Sequence, residues 1–127
     1  MLFKEVVGNN LMKKQLIEAV RNNRISHAQL FYGKSGSAKL ALALGYAQFL
    51  NCEYRTTVDS CGICSSCLKF NNLSHPDLHL IIPVLKTKEV QKPVSDHFIG
   101  QWRNFITNNY YGSLNDWIDS FGTENKT

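Results

Sequence analysis

The chain has 127 residues, 43% hydrophobic and 19% charged, the make-up of one small globular domain. No apolar run reaches the roughly 20 residues that a bilayer crossing needs, and MLFKEVVGNNLMKK lacks the apolar core of a signal peptide. Neither a membrane span nor an export signal is therefore expected, and the expected compartment is the cytoplasm. The net charge of +4 is spread along the chain, with Lys13-Lys14 the sole adjacent pair. That reads as a solvated basic surface and only weakly as a site for an anionic partner.

In chain order, residues 10–22 predict a helix. Met12, Leu16, Ala19 and Val20 recur at helical spacing, and Asn22-Asn23 supplies a stop. Ala28–Tyr32 (AQLFY) is short, apolar and aromatic, and reads as a buried strand. The turn GKSGSAK follows, then an Ala- and Leu-rich helix ending near Leu50. Strand, glycine turn and helix together open a βαβ unit. Residues 65–72 predict one or two helical turns, and Asp77–Val84 (DLHLIIPV) a second strand entered at His75-Pro76. Residues 85–94 are a polar connector. Ser95 is placed to cap a helix carrying Phe98, Trp102, Phe105 and Ile106 on one face. After the turn NNYYG, Ser113 and Asp116 form a capping box before Leu114, Trp117, Ile118 and Phe121. Residues 95–122 thus read as a two-helix unit of packing helices, and 123–127 as a polar tail.

All four cysteines fall between residues 52 and 67, in the pattern C-x8-C-x2-C-x2-C. Zn²⁺ takes four soft ligands in a tetrahedron, and C-x2-C sets two thiolates on one small loop. Cys61, Cys64 and Cys67 form two overlapping units of this kind, Cys52 at the preceding helix end supplies the fourth corner, and Gly62 permits the tight turn. Disulfides do not suit a chain without an export signal. A redox C-x-x-C pair leaves two cysteines unexplained. An iron–sulfur cluster is the other metal reading that the spacing admits. The preferred reading is a closed structural zinc site, which performs no catalysis. His75 and His79 read as ordinary polar residues near the second strand.

The phosphate-cradling P-loop has the pattern G-x-x-x-x-G-K-[ST]. Here the stretch is Gly33-Lys34-Ser35-Gly36-Ser37-Ala38-Lys39-Leu40. Gly33, the interior Gly36 and Lys39 are in place as vestigial nucleotide-binding residues. Ala38 replaces the second Gly and puts a Cβ where backbone should approach phosphate. Leu40 replaces the hydroxyl residue that holds Mg²⁺, an ion on which phosphoryl transfer depends. The stretch reads as a structural relic of a P-loop. ATP binding without hydrolysis is the alternative.

V-G-N, R-I-S-H-A, the P-loop-like turn, a helix ending in L-N-C, the cysteine loop and then H-P-D-L-H together resemble the opening of bacterial DNA polymerase III clamp-loader subunits, over residues 3–84. The resemblance implies an α/β fold, an AAA+ P-loop-type domain that is incomplete here. Its N-terminal part is 1–84, with the zinc module at 52–67 inserted and a helical insertion at 95–122. Ala38 and Leu40 incline the resemblance to the family's delta-prime branch, where the P-loop is commonly degraded. The implied role is a non-catalytic structural subunit of a replication machine, with the other clamp-loader subunits (delta and gamma/tau) as partners. Primed DNA and the sliding clamp are reached through that complex. An ATP-hydrolysing gamma/tau-type subunit and a zinc-containing nucleic-acid-binding module are the rival readings, although Arg55 is the only cation inside the cysteine loop. No acidic Walker B strand, sensor motif or collar domain is found. The strand order that the resemblance implies, 5-1-4-3-2, leaves strands 1 and 2 without neighbours, so 127 residues are not expected to form a stable native-like domain alone.

Overall fold

The computed structural model describes residues 1–121; the tail assigned to 123–127, and Gly122 before it, lie outside the described residues. The chain divides into two compact units, Met1–Leu78 and His79–Thr127. Among the described residues no helix is long and apolar enough to cross a membrane.

In the first unit a 3-10 turn, Phe3–Glu5, precedes helices α1 (Asn10–Arg21), α2 (Lys39–Asn51) and α3 (Ser65–Asn71). Helix α1 buries Leu16 and Val20 and stops where the two asparagines predict it. Asn23 takes a left-handed φ of 54°, which asparagine tolerates better than most residues. Its N–H donates to the Val20 carbonyl and the Arg24 N–H to that of Ala19 (3.1 and 2.8 Å), so two end carbonyls are satisfied. Helix α2 is the centre of the unit. It buries Ala41, Leu42, Leu44, Tyr46 and Phe49, and packs against α1, α3 and the 3-10 turn. Phe3 meets Phe49 with ring centroids 5.4 Å apart. Arg55 closes the C-terminus of α2: its Nη1 donates to the carbonyls of Phe49 and Leu50, both at 3.3 Å, while its guanidinium lies over the Phe49 ring.

In the second unit a 3-10 turn, Ser95–Phe98, leads into α4 (Ile99–Asn108), and α5 is Leu114–Asp119. The predicted apolar stripes come together. Phe98 and Trp117 are buried with Ile82, and Trp102, Phe105 and Phe121 pack around them. Trp117 is the hub. It stands 5.1, 5.3 and 4.7 Å from the rings of Trp102, Phe105 and Phe121, and its Nε1–H donates to the Pro83 carbonyl at 2.8 Å. The Ser113–Asp116 capping box forms as expected, the Asp116 N–H donating to Ser113 Oγ and the Ser113 N–H to Asp116 Oδ2. Those Ser113 contacts, backbone first, hold the Asp116 carboxyl below its usual range.

Two expectations are corrected. Among the described residues there is no strand: Ala28–Tyr32 and Asp77–Val84 run as irregular chain. Leu30 and Tyr32 are 89% and 93% exposed, so Ala28–Tyr32 is not the buried strand its composition suggested; in Asp77–Val84, Ile81 is 95% exposed while Ile82 is buried. A strand needs a neighbour to take its N–H and C=O groups, and the described residues supply none. The described residues therefore leave the α/β class unconfirmed. Nor does Ser95 cap a helix. Its hydroxyl accepts from the Ile82 N–H at 3.0 Å, pinning the second apolar segment, while α4 begins later, at Ile99.

Candidate metal centre

The four cysteines are brought together by two elements. Cys52 ends α2 in extended conformation, and Cys64 is the N-cap residue of α3. The turn between Cys61 and Cys64 depends on Gly62, whose φ is +78°. All four Sγ atoms lie within 4.8 Å of one another, no disulfide joins them, and Cys52, Cys64 and Cys67 are buried. Three loop amides near the centre point at a sulfur. The Cys61 N–H donates to Cys52 Sγ at 3.2 Å, that of Cys64 to Cys61 Sγ at 3.3 Å, and that of Cys67 to Cys64 Sγ at 3.4 Å.

These contacts divide the thiols. The amides of Ile63 and Cys64 bring Cys61 down to about 6. Burial pushes Cys67 up to about 12 and also raises Cys52. For Cys64 burial pushes upward, yet hydrogen bonds led by the Cys67 and Glu53 amides leave it lowered. The donor set could hold a thiophilic metal ion. Around a tetrahedral ion with metal–sulfur bonds of ~2.3 Å, sulfurs stand about 3.8 Å apart, and Cys61 Sγ and Cys67 Sγ are 3.9 Å apart. With four protein sulfurs converging, no coordination position is left for a substrate. His75 stays outside the set: its Nδ1 accepts from the Asp77 N–H at 3.1 Å and its ring packs on Phe70.

Sequence reasoning missed Asp59. Its carboxylate accepts from the Phe3, Lys4 and Ser60 N–H groups at 2.9, 3.1 and 2.8 Å, tying the N-terminal turn to the cysteine loop. Its carbonyl accepts from the Thr56 N–H and hydroxyl, which closes the loop on itself. Asp59→Ala leaves the Phe3 and Lys4 amides without this partner. The expected cost is about 2 kcal/mol, read as a lowered urea midpoint with unchanged m-value.

The P-loop-like turn lies at the other end of α2. Gly33 and Lys39 line a cavity of 520 Å³ whose walls include Met12, Leu16, Leu30 and Leu42; Gly36 is not among its lining residues. Lys39 Nζ donates to the Gly33 carbonyl at 2.8 Å, so the loop's own backbone engages the cation. Ala38, at the helix N-cap position, has φ 62°. This left-handed conformation costs a residue with a Cβ about 1–2 kcal/mol, and glycine would adopt it freely.

Helix α2 thus runs from the P-loop-like turn to the four-cysteine centre. The family described as DNA polymerase III, delta subunit matches residues 8–124. The chain belongs to this family of clamp-loader subunits. It is 39% identical over 70 residues to DNA polymerase III subunit delta' of Bacillus subtilis, covering 55% of this chain and 21% of that protein. It is 34% identical over 86 residues to subunit tau/gamma of Haemophilus influenzae, covering 68% and 12%. It is 31% identical over 70 residues to Protein STICHEL-like 4 of Arabidopsis thaliana, covering 55% and 7%. The chain thus spans about a fifth or less of the length of these curated relatives. No solved structure matches it.

Proposed function

We propose that the chain is the N-terminal part of a delta-prime-type clamp-loader subunit, a non-catalytic member of the DNA polymerase III assembly that helps to set the sliding clamp on primed DNA. The observation that carries this reading is the altered P-loop. Leu40 offers no oxygen for Mg²⁺, Ala38 holds a strained backbone where glycine would leave room for phosphate, and Lys39 is engaged by the Gly33 carbonyl. Gly33, Gly36 and Lys39 are on this reading a retired nucleotide site that shapes the start of α2. Cys52, Cys61, Cys64 and Cys67 hold one structural Zn²⁺. The ion supplies cross-linking between the end of α2 and the start of α3, and the chain's own amides orient the sulfurs around it. Partners are the other clamp-loader subunits, delta and gamma/tau, and the setting is the cytoplasm. Leu30, Tyr32 and Ile81, bare here, become strand residues of an AAA+ sheet when neighbouring strands cover them.

A second reading, an ATP-hydrolysing gamma/tau-type subunit, is favoured by the tau/gamma relative, which aligns over a longer stretch than the delta' one. Steady-state ATP hydrolysis by the full-length protein with Mg²⁺ separates the two. The delta-prime reading predicts no turnover above background. Mg²⁺-dependent turnover without any change at Ala38 or Leu40 would assign the chain to the motor subunits.

A further inference from the structure

A second cavity, of 340 Å³, lies on the first unit between α1 and the cysteine loop. Its α1 wall carries Lys13, Lys14, Ile17 and Arg21, its loop wall is Thr57 and Val58, and Glu18 is the sole acid lining it. The charge on this rim is three cations against one carboxylate. Lys13 Nζ is held by the Val6 carbonyl, and Arg21 Nη2 donates to the Thr57 carbonyl at 3.3 Å. Among the described residues, Lys14 is exposed and has no hydrogen-bond or ion-pair partner. The floor between these cations is apolar: Ile17 is half-buried, and Val58 is 65% exposed.

The loop wall is fixed independently of any ligand. Thr56 Oγ1 accepts from the Val58 and Asp59 N–H groups at 3.3 and 3.0 Å, and Asp59 in turn is tied to the N-terminal turn. A groove with two preformed walls loses little order when it is filled.

Lys14, Ile17 and Arg21 follow one another at three- and four-residue steps on α1, so the two cations stand about 10.5 Å apart along the axis, two helical turns. An antiparallel helix with acidic residues seven apart, and an apolar residue four after the first, repeats this order in complement. We propose that the groove docks such an acidic amphipathic helix of a partner protein. Carboxylates meet Arg21 and Lys14, and one apolar side chain covers Ile17 and Val58. A nucleic-acid backbone would use the cations and leave the apolar floor bare, which is why a protein segment is favoured. The inference does not depend on which type of clamp-loader subunit the chain is.

The test is a titration of the full ¹⁵N-labelled chain, carrying its native metal, with a synthetic helix. The probe bears two glutamates seven residues apart and a leucine four after the first. The expected result is amide shifts at Lys14, Ile17 and Val58. Lys14→Glu, at a side chain that makes no contact the fold needs, is expected to weaken binding about fivefold or more. Replacing the probe's leucine by serine should weaken it as well. Val58→Asp, in the loop wall, is a second variant expected to do the same. The proposal is overturned if the helix shifts nothing at about 1 mM, or if the serine probe binds equally well. It is also overturned if a short single-stranded DNA shifts these amides and the helix does not.

Discussion

Replacing Cys67 by serine is expected to weaken metal binding more than about 100-fold and to loosen the loop between α2 and α3. Cys67 is fully buried, and its sulfur is 3.9 Å from that of Cys61. A structural zinc contributes about 10–16 kcal/mol to the folding of a site of this kind. Loss of one ligand in four removes about 3 kcal/mol on an even division, a drop in affinity of more than 100-fold. The oxygen that replaces the sulfur is a harder donor and does not restore it. Zinc retained per chain against a competing chelator checks this, as does loss of dispersion for the amides of residues 53–66. The pH dependence has a definite sign. Without metal, Cys67 at about 12 and Cys52, also raised, keep their protons at neutral pH. Metal binding must displace those protons, so affinity rises with pH and is lost on acidification. Calorimetry in buffers of different ionisation enthalpy should report at least these two protons released.

Trp117→Ala is expected to unfold the second unit. Truncating a buried Trp costs about 3–5 kcal/mol, and here its contacts with three further rings and its bond to the Pro83 carbonyl go too. A unit of this size has only a few kcal/mol of its own, at roughly 0.05–0.15 kcal/mol per residue. Fluorescence of the remaining Trp102 should shift to that of a solvated indole. Trp117→Phe keeps an aromatic ring in the cluster and loses chiefly the indole hydrogen bond, worth about 1 kcal/mol. It should stay folded with a lower urea midpoint.

What could be read from the sequence was what local spacing controls. The cysteine loop closes because C-x2-C geometry is set within four residues, so the convergence of Cys52, Cys61, Cys64 and Cys67 could be expected from their spacing. The stripe from Phe98 to Ile106 and the Ser113–Asp116 box are likewise helical periodicity and short-range capping. Features decided by distant partners were not legible. AQLFY has the composition of a core strand, but burial requires neighbours, and Leu30 and Tyr32 have none among the described residues. Ser95 looked like a cap, yet its hydroxyl engages Ile82, thirteen residues away. Asp59 grips amides at Phe3 and Lys4, more than fifty residues distant, and no motif announces that contact. The Ala38 and Leu40 departures were visible as missing chemistry; the left-handed backbone at Ala38 needed the structure.

The most direct test of the central claim, a metal-stapled clamp-loader module with a retired P-loop, is native mass spectrometry of the full-length protein in the presence of Mg-ATP. One spectrum reads both halves. The account predicts the mass of the chain plus one zinc, with no retained nucleotide. A metal-free mass, or a stable complex with Mg-ATP, would contradict it.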